Sequence, residues 1–475
     1  MSPYNYNVRP LHRRKGRCPR VRRVRGEALL ALALLNIFVL IAGFVALDVI
    51  GARPLPAAPN PVTDAEGVAA AQPAASTPAD PERIADILDD PMSDSGIEEG
   101  LSGFVVDAAT GETLFELDPD APVTPASTTK IATAVAVLDA VGPDHVLSTE
   151  AYLVPGQDRV VLRGEGDVTL TTTADSAAYP QVATLKELAE RTARALGAEG
   201  VDTVSLGYDD SLFTGLDSGP GWKPNYVTEG STATVHALMI DSGRFSPEAS
   251  GYGSRVPDPP LFAAEAFAEQ LEEAGITVEG SPTEERASGE PVASVDSPPM
   301  SALVEHMMLA SDNNMAEALG RVTAIALDGE PSFDGAAAAT HQVMEGLGVQ
   351  GVRLSDNSGL STENRITPRA LVELLRLAAS DDRPDLNAAI TGLPTANSTG
   401  TLASGGRYSA YSAAHEGAGL VRGKTGTLNG VSTLAGTVHD QEGNLFLFAF
   451  MANHPQAVGS RLDPLASALS QCGCS

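Results

Sequence analysis

Pro125-Ala126-Ser127-Thr128-Thr129-Lys130 opens the apolar run Ile131-Ala132-Thr133-Ala134-Val135-Ala136-Val137-Leu138. Ala, Val and Leu recurring over this length predict a buried helix, and Pro125-Ala126 stands where a helix begins. Ser127 and Lys130 then lie one turn apart on a single face. A serine hydroxyl is a weak nucleophile until a neighbouring base takes its proton. A lysine serves as that base once burial or nearby positive charge lowers its pKa. The plainer alternative is a capping serine followed by a surface lysine. The scarcity of lysine argues against it: beyond residue 27 only Lys130, Lys186, Lys223 and Lys424 occur, and the positions three before the last three hold Ala183, Pro220 and Val421.

Lys424-Thr425-Gly426-Thr427 follows the strand-like Gly419-Leu420-Val421-Arg422. A cation, two hydroxyls and a glycine at a strand edge can grip a carboxylate while the backbone comes close. Ser311-Asp312-Asn313 falls between a helix ending at Ala310 and another beginning near Asn314. All three residue types are also favoured as helix caps. A second copy, Ser355-Asp356-Asn357, means that the tripeptide alone decides nothing.

Ser-x-x-Lys, Ser-x-Asn and Lys-Thr-Gly in that order are the signatures of penicillin-binding proteins and serine β-lactamases. The chain most resembles the class C, low-molecular-mass penicillin-binding proteins, the peptidase S13 family of D-alanyl-D-alanine carboxypeptidase/endopeptidases. The resemblance runs through Gly103 to Asp107, Thr124 to Lys130, Gly164 to Asp167, Ser311 to Glu317, Asp356 to Ser361 and Gly423 to Thr427. It implies an α/β (α+β) transpeptidase-like fold, a sheet flanked by helices with an inserted α/β domain. Ser127 and Ser311 are 184 positions apart, an interval short for that family, which implies a reduced or missing inserted subdomain.

The resemblance also implies roles. Ser127 attacks the D-Ala-D-Ala carbonyl of peptidoglycan stem peptides and Lys130 accepts its proton. Ser311 relays a proton to the leaving amine, and Asn313 holds the substrate amide. Lys424 supplies positive potential, Thr425 and Thr427 bind the substrate carboxylate, and the Ser127 and Thr427 amides form the oxyanion hole beside Gly426. β-Lactams would bind covalently as inhibitors. One rival is a serine β-lactamase. Class A enzymes carry a Glu-x-x-x-Asn between the first two motifs, but the only asparagine there is Asn225, with Gly221 four positions earlier. The Tyr-x-Asn variant of the second motif is also absent from the body. Another rival is a non-catalytic cell-wall-binding or sensor protein, against which the three intact motifs argue.

Charge and hydropathy organise the rest. Nine of the 31 basic residues precede Glu27, leaving 22 against 61 acidic ones, a body that would repel nucleic acid. Residues 1–27 therefore read as a basic cytoplasmic tail, and Ala28 to Leu47 as a 20-residue apolar run long enough to cross a bilayer. Residues 28–50 are expected to anchor the chain in the cell membrane with the catalytic body outside. A cleaved signal peptide, giving a secreted body, is the alternative, and the S13 resemblance itself points to a cleaved signal more often than an anchor. Residues 51–80, rich in Pro, Ala, Ser and Thr, read as a linker. A catalytic domain is expected from 81–148 and 297–475, with strands at Leu101 to Asp107 and Leu445 to Met451, interrupted by the inserted domain at 149–296, where the apolar Ala233 to Ile240 reads as strand-like. The eight histidines show no metal-ligand spacing, and Cys18, Cys472 and Cys474 make no disulfide framework, so no metal and no cofactor are expected. A Ser-His triad loses support without being excluded by spacing.

Overall fold

The computed structural model describes residues 79–172, 175, 179–246, 253–403 and 405–473. The basic tail, the apolar run at 28–47 and most of the linker lie outside the described residues. Among the described residues, no helix is long and apolar enough to cross a membrane. The described chain begins with α1 (Pro81–Ser95), β1 (Leu101–Asp107), β2 (Thr113–Leu117), α2 (Thr129–Val141), β3 (Ser148–Leu153) and β4 (Arg159–Gly164). It continues with α3 (Leu185–Glu199), β5 (Thr203–Asp209), α4 (Pro259–Glu273), β6 (Thr277–Glu284) and β7 (Pro291–Asp296). After these come α5 (Met300–Ala310), α6 (Asn313–Ala326), α7 (Phe333–Gly346), β8 (Val352–Arg353), β9 (Arg365–Ile366) and α8 (Pro368–Ala378). The last elements are β10 (Val421–Leu428), β11 (Val431–His439), β12 (Leu445–Asn453) and α9 (Asp463–Ser470), with short helical turns between.

The first sheet runs β10-β11-β12-β1-β2, antiparallel throughout. Its central strands β1 and β12 read as nearly continuous apolar runs because both faces are covered. Side chains alternate along a strand, so Phe446, Phe448 and Phe450 of β12 enter a core with Ile84 and Leu88 of α1 and Leu465 and Leu469 of α9. Leu447, Ala449 and Met451 enter the opposite core, with α2, α5, α6 and α8. α2 is buried from Thr129 to Leu138, which accounts for its unbroken apolar sequence. α1 starts where Asp80 accepts the amide of Glu82 and Pro81 takes the first helical position.

The second sheet, β6-β5-β4-β3-β7, lies wholly within residues 148–296. β4, β5 and β6 pair in parallel, whereas β3 pairs antiparallel with β4 and β7. Leu185, Leu188 and Leu196 of α3 and Phe267 and Leu271 of α4 pack with it in a third core.

The structure differs from the sequence reading in several places. Ala233 to Ile240, expected as a strand, is irregular although buried. Its backbone is satisfied in part by side chains: Ala233 N donates to Asn314 Oδ1, its carbonyl accepts from Asn314 Nδ2, and the amides of Ala237 and Leu238 donate to Asp210. Lys424 to Thr427 does not follow a strand but lies inside β10. Ser127 occupies a single 3-10 turn, Ala126–Thr128, that leads into α2. β3, β6 and β7 were not anticipated. Cys472 is buried and disulfide-bonded.

Candidate active site

Three elements converge. The turn before α2 presents Ser127, β10 presents Lys424, and the junction of α5 and α6 presents Ser311 and Asn313. Lys130 Nζ lies 3.2 Å from Ser127 Oγ, 2.6 Å from Asn313 Oδ1 and 2.6 Å from the Ser358 carbonyl oxygen. Lys424 Nζ donates to Ser311 Oγ at 2.8 Å and to the carbonyl of Thr425 at 3.0 Å. Both lysines are fully buried. Ser127, Lys130, Ser311, Asn313 and Lys424, singled out from sequence, therefore form one cluster.

The local geometry has identifiable causes. Ser311 ends α5 in the left-handed region (φ 57°), and Asp312 then caps α6 by accepting the amide of Met315 at 3.0 Å. A left-handed residue between two helices turns the chain sharply enough to set both Ser311 and Asn313 on the site. Asp312 is itself buried and accepts from Ser242 Oγ (2.9 Å) and Arg244 (3.0 Å). Burial opposes its ionisation, but Arg244, the Met315 amide, His306 and Arg255 together hold its carboxyl far below the usual carboxylate range.

Gly426 lets β10 approach the nucleophile. A Cβ there would stand 2.7 Å from the Pro125 carbonyl and 3.0 Å from Ser127 N, and would collide with Thr433 Oγ1. The space is used: Thr433 Oγ1, from the residue paired with Gly426 on β11, donates to the Pro125 carbonyl at 2.7 Å. Of the two expected carboxylate binders, Thr425 shares a 2.9 Å hydroxyl contact with Thr401, and Thr427 is exposed.

Electrostatically the cluster is a pair of buried amines whose charged forms burial disfavours. Burial pushes Lys130 down to about 8, against the opposing pull of Asp356, Glu317 and Asp312. Burial and then the charge of Lys130 push Lys424 well below the usual lysine range. The partner of Ser127 Oγ is thus a lysine, and no histidine takes that place among the described residues.

Several contributors carry no sequence signal. The Ser231 carbonyl accepts from Asn313 Nδ2 at 2.8 Å, which turns the oxygen of that amide toward Lys130. The Ser358 carbonyl is a second backbone partner. The second Ser-Asp-Asn hydrogen-bonds neither lysine of the pair: its fully buried Asp356 accepts the amides of Gly359 (2.9 Å) and Ser361 (2.6 Å) and the indole N–H of Trp222 (2.7 Å).

A serine–lysine pair at a helix entry, facing a Lys-Thr-Gly edge strand and a Ser-x-Asn corner, defines a serine peptidase of the penicillin-binding type. The chain belongs to the D-Ala-D-Ala carboxypeptidase 3 (S13) family, whose profile matches residues 83–255 and 248–471. It is 34% identical over 432 residues to carboxypeptidase DacB of Mycolicibacterium smegmatis, covering 89% of this chain and 91% of that protein. It is 35% identical over 385 residues to a carboxypeptidase of Mycobacterium tuberculosis, covering 79% and 81%. With the D-alanyl-D-alanine carboxypeptidase of an Actinomadura species it shares 29% over 432 residues, covering 75% and 79%. The fold is that of penicillin binding protein 4 of Haemophilus influenzae, with a TM-score of 0.64 at 20% identity over 81% of this chain and 97% of that one. That protein has also been solved in complex with a β-lactam.

Proposed function

We propose that this protein is a serine D-Ala-D-Ala carboxypeptidase, with DD-endopeptidase action on the same bond type, acting on peptidoglycan stem peptides through an acyl-enzyme at Ser127. The observation that carries the reading is the set of three oxygens around Lys130 Nζ. A neutral amine has two N–H bonds and one lone pair. The Asn313 and Ser358 oxygens can only accept, so they take both hydrogens, and the lone pair is left facing Ser127 Oγ.

Lys130 takes the hydroxyl proton as Ser127 Oγ bonds to the carbonyl carbon of the penultimate D-Ala. The oxyanion is received by the backbone amides of Ser127 and Thr427. As the peptide C–N bond breaks, Ser311 passes its proton to the leaving amine and takes up the proton that Lys130 removed from Ser127, which returns Lys130 to neutral; Lys424, 2.8 Å from Ser311, holds that hydroxyl in place. The substrate carboxylate lies toward Lys424, Thr425 and Thr427. Water, deprotonated by Lys130 once it is neutral again, hydrolyses the ester and returns Ser127.

A β-lactam follows the same first steps and leaves a persistent acyl group. Incubation with a fluorescent penicillin is therefore expected to label the wild type covalently and to leave Ser127→Ala unlabelled. Wild-type protein that stays unlabelled, or that turns the β-lactam over rapidly, refutes the reading. Digestion of purified peptidoglycan, with products resolved by mass, separates release of D-Ala from cleavage of crosslinks.

The nine cations before the apolar run at 28–47 support an anchored chain with its body, catalytic segments 81–148 and 297–475 around the inserted 149–296, on the outer side of the membrane. Protease added to spheroplasts is expected to remove the body and spare a short N-terminal fragment. A mature N-terminus beyond residue 50 contradicts the anchor.

A further inference from the structure

The Ser358 carbonyl that accepts from Lys130 is itself held in place. Glu317, one helical turn beyond Asn313 on α6, is fully buried, and its Oε1 accepts the amides of Asn357 (3.1 Å) and Ser358 (2.7 Å). Its other oxygen, Oε2, is buried with no hydrogen-bond partner. Arg321 forms a buried ion pair with that oxygen at 3.7 Å, too long for a hydrogen bond, with its guanidinium 4.1 Å from the Phe333 ring centroid and 5.6 Å from that of Phe213. From the other side, Asp356 pins the same loop through Gly359, Ser361, Asn364 and Trp222. Gly359, at φ +86°, then packs against the Ala126 carbonyl, where any side chain would collide. The loop is thereby locked to the turn that carries Ser127.

Resting on the reading of Ser127 and Lys130 as nucleophile and base, we infer that Glu317 is a positioning residue for acylation: by holding the Asn357 and Ser358 amides it aims the Ser358 carbonyl at Lys130, which fixes one hydrogen of the neutral amine and turns the lone pair toward Ser127. Loss of that acceptor frees the amine to rotate, and its lone pair faces Ser127 only part of the time. Misplacing a reacting group by about 1 Å costs on the order of a hundredfold. Glu317 does not touch substrate, so the effect falls on the rate of the covalent step and not on binding.

The test compares two variants of nearly equal size by the kinetics of fluorescent-penicillin labelling. Glu317→Gln keeps an acceptor oxygen for the two amides and breaks no hydrogen bond at Oε2, losing there only the charge that faces Arg321 at 3.7 Å. Glu317→Met keeps the length and removes the acceptor. The maximal labelling rate of the Met variant is expected to fall about ten- to a hundredfold with an unchanged half-saturation concentration, while the Gln variant stays within about threefold of the wild type. Should the Met variant fail to fold, Glu317→Asp, which withdraws the acceptor by one methylene, is expected to show the same slow labelling. Wild-type rates in the Met and Asp variants, equal losses in Gln and Met, or a loss seen only as weaker binding overturn the inference. Labelling of the wild type but not of Ser127→Ala, with Glu317 variants as fast as the wild type, removes this inference alone. A wild type that is not labelled removes the underlying reading as well.

Discussion

The chain carries Ser-Asp-Asn twice, and the two copies do opposite things with the same three side chains. At Ser311–Asn313 the tripeptide is a corner: the serine is left-handed, the aspartate caps the next helix, and serine and asparagine face two buried lysines. At Ser355–Asn357 it is a bracket. Asp356 gathers backbone amides and an indole, Asn357 accepts from Thr133 and Thr340 through its oxygens, and neither copy-mate meets a lysine side chain. Even so the second copy serves the first, because the next carbonyl, that of Ser358, is what Lys130 touches. A short motif therefore has no chemistry of its own. It acquires one from the charged groups that the fold sets opposite it.

The largest effect expected from this contrast is on acylation. Ser311→Ala is expected to slow penicillin labelling and peptide cleavage by about a hundredfold or more, the scale of lost proton transfer. Ser355→Ala is expected to cost less than about threefold, since only its amide is engaged, by Asn364 Oδ1. Equal losses in stopped-flow labelling would erase the distinction.

Lys424 gives the next effect, because it donates to Ser311, whereas among the described residues no lysine hydrogen-bonds Ser355. A charge-assisted hydrogen bond contributes about 1.5–3 kcal/mol, so Lys424→Ala is expected to lower kcat/KM by roughly ten- to a hundredfold. Masking the substrate carboxylate as an amide is expected to cost the wild type a similar factor and the variant much less. Simple addition of the two losses would confine Lys424 to the proton relay.

A smaller effect per step concerns pH. Lys130, pushed down to about 8 mainly by burial, is protonated and useless as a base below that value. The acylation rate is expected to rise about tenfold per pH unit up to that region and then level off. Ser355→Ala is expected to leave this limb where it is. A flat profile between pH 6 and 8 would show that another group takes the proton.

The smallest effect concerns the hydroxyl that faces Thr425. Thr401→Val removes a 2.9 Å contact and keeps the shape, so KM is expected to rise about two- to tenfold with little change in kcat. A fall in kcat alone would place Thr425 in the chemistry and not in carboxylate binding.

Much of this site was legible in the sequence because its side chains are local or chemically rare. Ser127 and Lys130 are fixed by helical spacing, and Lys424 stands out in a body with few lysines. The glycine of Lys-Thr-Gly marked the close approach that Gly426 makes to Ser127. What stayed hidden is backbone: the carbonyls of Ser231 and Ser358 help to orient Asn313 and Lys130, and a carbonyl leaves no trace in residue identity. The fold shows the same division. β1 and β12, buried on both faces, read clearly as strands. β6 and β7 are the two edges of the second sheet and at most partly buried, so only a few residues, such as Val278, Val292 and Val295, mark their inner faces. Ala233 to Ile240 misled for the converse reason: it is apolar because it is buried, yet it bonds to Asn314 and Asp210 instead of to a strand.

The order β10-β11-β12-β1-β2 has a consequence for the time at which this protein becomes reactive. β1 emerges from the ribosome early, but its partner β12 is made about 350 residues later, Leu101 pairing with Ala452. At about 5–20 residues per second that is a delay of roughly 20 to 70 seconds. Lys424 arrives in the same late portion, long after Ser127. A nascent chain thus holds its nucleophile without the strand that completes the site. By strand order alone, the site is complete only once nearly all of the described chain has been made.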